Sequence, residues 1–261
     1  MGRTEGFFKE DEMIHFLNKK RVVDLSPSLH TLVKMNFGVL EPDEIVTCDY
    51  GQEHTKCDFV ITYQGKQKGV SLKTGKAEVM HTEKISTFIP FLRSVGVSEE
   101  SLRTLLLFHF GDGTLDGTGK KRYSTEEVMM WLGDRVKRLN NELNGDKELM
   151  KRILERILFQ GVDVNALAAN CIYIGSYEDG VCATKKQIYK YVDKRGWDYY
   201  VRPHVGPIQF RPWVRYVGTG DINIEKRIRI QCHWPNFRSE LEYAGRHFDY
   251  YTPIRHRTYE E

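Results

Sequence analysis

Long apolar runs are missing from this 261-residue chain. None approaches the roughly 18 residues of a membrane-spanning helix, and the opening MGRTEGFFKEDEM has no apolar segment of the signal-peptide kind. Its Met-Gly start is not a myristoylation signal either, because Gly6 stands where Ser or Thr is needed. Cysteine is sparse. Cys48, Cys57, Cys171, Cys182 and Cys232 are odd in number and form no C-x-x-C pair, which argues against a disulfide framework and against a zinc knuckle. Nine histidines include no H-x-x-x-H or H-E-x-x-H spacing, so a zinc enzyme is not expected. A dinucleotide fingerprint is missing too, since the glycines follow a helical segment rather than a strand. Neither charge dominates: 39 basic against 36 acidic residues leave a net +3. That balance permits a nucleic-acid partner without requiring one, so any basic surface has to be argued locally. With 40% hydrophobic and 12% aromatic residues, the chain has ample material for a core. It is expected to be soluble and cytoplasmic.

Periodicity divides the chain. KEDEMIHFLNKK is amphipathic, and Ser26 followed by Pro27 makes a helix cap and first position, with Gly38 as the stop. From Glu44 to Lys73 the pattern turns to strands, EIVTCDY, DFVITYQ and GVSLK. Helical spacing returns in HTEKISTFIPFLRS and SEESLRTLLLFHF, the second ending at the loop GDGTLDGTGKK. Ser124 and Glu127 form a capping box, Asp146 caps KELMKRILERILF, and Thr184 opens a basic helix. NCIYIGS fits a buried strand. Beyond Trp197, VGPIQFRPWVRYV and INIEKRIRIQCHW read as two strands. The expected fold is α/β (α+β), a central mixed sheet flanked by helices with a C-terminal β-rich portion. A boundary is placed near 160–180, giving segments 1–165 and 166–261.

The segment from Cys57 to Lys73 carries the chemistry. If Gly65 and Lys66 form a type II′ turn, Gln64 faces Gln67 and Asp58 faces Lys73. Opposed residues lie ~4.5–5.5 Å apart at Cβ on one sheet face. Alternation then sets Ser71 beside Lys73 and turns Val70 and Leu72 into the core. An acid, a hydroxyl and a lysine on one face suit metal-assisted phosphodiester hydrolysis. Asp58 would hold Mg²⁺, for which Mn²⁺ can substitute, and Ser71 would add an oxygen or hold a metal-bound water. Lys73 would orient or deprotonate water, or neutralise phosphate charge. The bland alternative is a surface hairpin with an Asp58–Lys73 ion pair worth at most ~1 kcal/mol.

Cys57-Asp58 followed by Ser71-Leu72-Lys73 resembles the paired motif of the PD-(D/E)xK nuclease superfamily, to which most type II restriction endonucleases belong. The resemblance covers about residues 40–110. It implies a restriction-endonuclease-like sheet, Mg²⁺, and double-stranded DNA as substrate. Ser71 stands where the family usually has a second acid. Some members recruit that acid from a following helix, for which Glu78 and Glu83 are candidates, and Glu53 in the preceding loop is a third.

The candidate DNA surface lies elsewhere. Arg211, Trp213 and Arg215 alternate, as do Arg227 and Arg229, so each set would share a sheet face able to grip phosphates or read guanine. Lys76 trails the catalytic lysine. Lys120, Lys121 and Arg122 follow the glycine-rich loop, which otherwise reads as a flexible connector. The expected activity is sequence-specific DNA cleavage of the type II kind, with a homodimer if the target is palindromic. Two other readings stay open: a non-catalytic nucleic-acid-binding protein on this scaffold, and a nuclease acting on RNA or branched DNA.

Overall fold

The computed structural model describes residues 5–52, 55–74, 78–119, 122–197, 202–213 and 227–248. Where local signals are strong, the elements follow them. Helix α1 (Glu5–Leu17) leads to a short strand β1 (Lys20–Arg21) and then to α2 (Pro27–Phe37). Ser26 caps α2 by accepting from the Leu29 N–H, and Gly38 stops it at φ +88°. Strands β2 (Ile45–Tyr50), β3 (Phe59–Tyr63) and β4 (Lys66–Lys73) form an antiparallel meander.

The meander joins β6 (Ala169–Gly175) and β7 (Gly180–Thr184) in a six-stranded sheet of order β1-β2-β3-β4-β6-β7. Only the β4–β6 pair is parallel among its described strands. A second sheet, β5-β10-β9-β8, is antiparallel throughout and contains β5 (Val79–Lys84), β8 (His204–Val205), β9 (Ile208–Pro212) and β10 (Arg229–His233). Helices α3 (Ile85–Ser94), α4 (Glu99–Phe110), α5 (Thr125–Leu132), α6 (Asp134–Gly145), α7 (Lys147–Leu154), α8 (Lys185–Lys194) and α9 (Phe237–His247) complete a mixed α/β fold with helices flanking the sheets. The Ser124–Glu127 capping box, the Asp146 cap and the Thr184–Gln187 capping box are all formed. None of the helices among the described residues is long and apolar enough to cross a membrane.

Each sheet takes strands from both sides of the expected boundary, or spans it through its neighbours. The two expected segments are therefore interleaved rather than laid side by side. On one face of the first sheet, Phe59, Ile61, Val70, Leu72, Cys171 and Tyr173 pack with Met13 and Leu17 of α1 and with Leu29, Leu32 and Val33 of α2. Ile172 and Ile174 point the other way, into a larger core shared with Phe210, Ile230 and Cys232 of the second sheet.

Two expectations are corrected here. The segment from His81 to Lys84 is strand rather than helix, because β5 pairs with β10, a strand from near the far end of the described chain. Glu83 accordingly comes from a sheet. The hairpin register is also shifted by two: Tyr63 faces Lys66, and the pairs Phe59–Val70 and Val60–Gly69 follow. Extending this count sets Asp58 opposite Ser71, with Lys73 one diagonal step further. A slip of one residue would turn Phe59, Ile61, Val70 and Leu72 off the core, at about 1.5–3 kcal/mol each. A slip of two leaves every face unchanged, so the apolar pattern sets parity while the turn sets register. That turn is Gln64-Gly65, with φ +47° and +73°, the type I′ signature of two left-handed central residues. A glutamine is strained there whereas asparagine tolerates it. Gln64→Asn is expected to raise unfolding free energy by about 0.5–1 kcal/mol in denaturant titration. A loss of stability would contradict this turn assignment.

Candidate active site

Asp58 sits at the mouth of the hairpin, just before β3. Its N–H donates to the Val70 carbonyl at 2.9 Å, and its Oδ2 accepts the Leu72 N–H at 2.6 Å, so the carboxylate is tied to the strand that bears Ser71 and Lys73. On the other side, the Gly51 N–H donates to the Asp58 carbonyl at 3.0 Å. A Cβ at Gly51 would lie 1.7 Å from the Cys57 carbonyl oxygen, so this close approach requires glycine. Burial raises the Asp58 pKa. Lys73, the Leu72 N–H, the Ser71 hydroxyl and Lys56 oppose that rise without cancelling it. Ser71 is fully buried, yet its Oγ forms no hydrogen bond of acceptable geometry among the described residues. It is close enough to act on the carboxylate without being satisfied by it.

Two further groups converge that spacing alone did not single out. Glu10 of α1 has a pKa pushed up to about 7, by burial first and then by the negative charges of Asp58 and Asp11, with Lys73 pulling the other way. Lys56 donates from Nζ to the Met80 carbonyl at 2.7 Å. Burial and the neighbouring Lys73 bring its amine down to about 7. A lysine two positions before Asp58 was a legible signal. Glu10 had none, because only the packing of α1 on β2 and β3 brings it near.

Asp58, Lys73 and Lys56 open on a cleft of about 510 Å³ between the two sheets. They lie on one side and Met80, His81, Thr82 and Arg229 on the other, with Gly161 and Val162 at the end of the helical run. Behind the cleft, Glu83 is 4% exposed. It accepts from Arg156 Nη2 at 2.5 Å and Nε at 3.1 Å, and it meets His81 Nε2 at 2.9 Å. Burial alone would raise the Glu83 pKa, but the bonds from His81 and Arg156 outweigh it and hold the group down at about 2. His81 falls to about 4 through burial, so at neutral pH it is an uncharged ring whose Nε2–H donates to Glu83.

The other expected residues are dispersed. Glu83 is committed to Arg156 and His81, and Glu78 is exposed, with its backbone carbonyl accepting from the Trp234 N–H. Arg122 is buried and closes the end of α4 by donating to the carbonyls of His109 and Phe108, so it faces protein rather than solvent. Arg227 pairs with Asp112 at 2.7 Å. Arg211 and Arg229 do share a face of the second sheet, and Trp213 follows directly, 40% exposed. Glu53, Lys76, Lys120, Lys121 and Arg215 lie outside the described residues.

The donors suit a hard divalent cation. Asp58, Glu10 and Ser71 offer oxygen only, and burial together with mutual repulsion between the two carboxyls is what a bound cation would relieve. No group of three or more His, Cys, Asp or Glu placed to hold a metal occurs among the described residues. Mg²⁺ is commonly held by one or two carboxylates with water and phosphate at its other positions, and Asp58 and Glu10 could supply two. The Glu10 pKa is raised above its unfolded value of 4.5, so its contribution favours folding below that value and is lost as pH rises through about 7. A cation needs the ionised form. If Asp58 and Glu10 hold Mg²⁺, the ion should raise the melting temperature more at pH 8 than at pH 5. Glu10→Gln should raise metal-free stability at pH 8 and shrink the Mg²⁺ gain; an undiminished gain removes Glu10 from the site.

No protein-family model matches the chain, and no curated protein matches it in sequence. Its backbone is similar to that of restriction endonuclease MspI, crystallised in complex with its cognate DNA, with a TM-score of 0.49 at 11% identity over 89% of this chain and 93% of that one.

Proposed function

We propose that this protein is a Mg²⁺-dependent, sequence-specific endonuclease of double-stranded DNA, acting as a type II restriction enzyme. Asp58, Lys73 and a second lysine, Lys56, line an open cleft, with the unsatisfied Ser71 hydroxyl buried beside Asp58 and a second carboxyl, Glu10, electrostatically coupled to Asp58 and Lys73; that convergence carries the reading. Asp58 and Glu10 would hold the cation, with Ser71 fixing one of its waters. The bound ion would polarise a phosphoryl oxygen and lower the pKa of the attacking water. Lys73 binds the scissile phosphate and balances the charge that develops on it. Lys56, anchored to the Met80 carbonyl, is an amine able to hold or release a proton near neutrality. Arg229 on the opposite wall grips the backbone of the same strand. Mn²⁺ would substitute for Mg²⁺, and a palindromic target would be cut by a symmetric homodimer.

The test is incubation of unmethylated plasmid and phage DNA with the full chain, with and without Mg²⁺. Discrete fragments that disappear on chelation support the proposal. DNA binding without cutting would favour a non-catalytic nucleic-acid-binding protein. Cleavage confined to RNA or branched DNA would change the substrate.

A further inference from the structure

Beyond the cleft, the face of the second sheet opposite Phe210, Ile230 and Cys232 bears an ordered polar array in which Gln209 is buried and Arg211, Gln231 and His233 are half-buried. Gln209 lies opposite His233 and Arg211 opposite Gln231, so the four side chains occupy a two-by-two block on β9 and β10. The alternating residues Phe210, Ile230 and Cys232 are buried on the other side. Within the block, Arg211 Nε and Nη2 both donate to Gln209 Oε1, at 3.2 and 2.6 Å, and His233 Nε2 meets Gln231 Oε1 at 3.2 Å. The block is continuous with the cleft. Gln231 pairs with Thr82, and Arg229 precedes Gln231 on the same face; Thr82 and Arg229 both line the cleft.

We propose that this β9–β10 face reads base edges in the major groove, with Arg211 recognising a guanine, a refinement that rests on the nuclease reading. A two-stranded ribbon fits the major groove, and an arginine held in plane presents parallel N–H donors matching guanine O6 and N7. The two bonds to Gln209 fix the orientation of the planar guanidinium before DNA arrives, which lowers the ordering cost of recognition. A solvated sheet face built for solubility would present lysines and glutamates rather than paired amides, an imidazole and a braced guanidinium.

Cleavage of a randomised duplex library with Mg²⁺, followed by sequencing of the fragment ends, tests the assignment. Wild type should show a guanine at one fixed offset. Arg211→Ala and Arg211→Lys should each lose preference for it by about tenfold or more while other positions keep theirs. Gln209→Leu, which leaves the arginine but removes its brace, should weaken the same preference less. Thermal unfolding confirms that each variant is folded. Undiminished guanine preference in Arg211→Ala overturns the proposal, and so does a uniform loss of affinity with a shallower salt dependence, the behaviour of a phosphate contact. If wild type cuts no duplex at all, the nuclease reading fails instead. The same library selected by binding then decides the readout: a guanine position that Arg211→Ala loses sustains it, and no enriched position ends it.

Discussion

Asp58→Asn is expected to slow cleavage at saturating Mg²⁺ by at least about a thousandfold and to leave the fold intact. Asparagine keeps the size and the oxygen that accepts the Leu72 N–H, so the link between β3 and β4 survives. What it removes is the negative charge that, in the proposed mechanism, would hold the cation. Losing that charge forfeits several kcal/mol of transition-state stabilisation, and about 1.4 kcal/mol corresponds to each tenfold in rate. Stability should move the other way or not at all. The Asp58 pKa is raised by burial, so its ionised form is a cost to the folded state above that pKa, and neutral asparagine escapes it. Lys73→Ala, which removes a charge from the phosphate side, should cost roughly 10²–10³ in rate. Single-turnover cleavage and thermal unfolding of the same preparations check both halves. Cutting by Asp58→Asn within tenfold of wild type would move the catalytic centre elsewhere.

The second large effect concerns the buried ion pair behind the cleft. Arg156→Met leaves Glu83 charged and without its guanidinium in an apolar setting, and breaking such a pair costs about 3–5 kcal/mol. Arg156 also lies over the Phe91 ring, 4.5 Å from its centroid; methionine preserves much of that packing, so the loss reports charge. Glu83→Gln in the same background should restore most of the stability, since a neutral amide can stay buried beside His81. The sign of the pH dependence is set by the wild-type pKa. Held at about 2 against an unfolded 4.5, Glu83 contributes stability that is present above 4.5 and lost as pH falls toward 2. Urea titrations of the two single variants and the double variant measure the coupling. A cost under about 1 kcal/mol for Arg156→Met would mean that water or another cation already neutralises Glu83.

Local signals carried most of what was legible in the sequence. Ser26, Ser124 with Glu127, Asp146 and Thr184 cap the helices they were expected to cap, because a cap is settled by a few adjacent residues. The strand pattern from Ile45 to Lys73 and the inward turn of Val70 and Leu72 were readable for the same reason. Non-local pairing was not. The segment at His81 has apolar spacing that suits a helix, and only its distant partner β10 makes it a strand. The hairpin register failed at Gln64, whose left-handed backbone no propensity would favour. Within the site, Asp58, Ser71 and Lys73 shared a face by alternation alone, whereas Glu10 reaches them through tertiary packing. Arg122 is a basic residue in a basic stretch, and nothing in its neighbourhood marks it as a helix closure.

The interleaving of the two sheets has a consequence for how such a protein can diversify. A target-reading ribbon on its own domain could be exchanged between relatives as a cassette. Here β9 and β10 complete a sheet that begins with β5, and the stretch that leads to them includes β6, the parallel neighbour of the strand bearing Lys73. Grafting a foreign C-terminal portion would strip that support from the strand bearing Lys73 together with β9 and β10. If the β9–β10 face reads the target as proposed, new preferences would have to arise by point changes at positions such as 209, 211, 231 and 233, within a scaffold inherited whole.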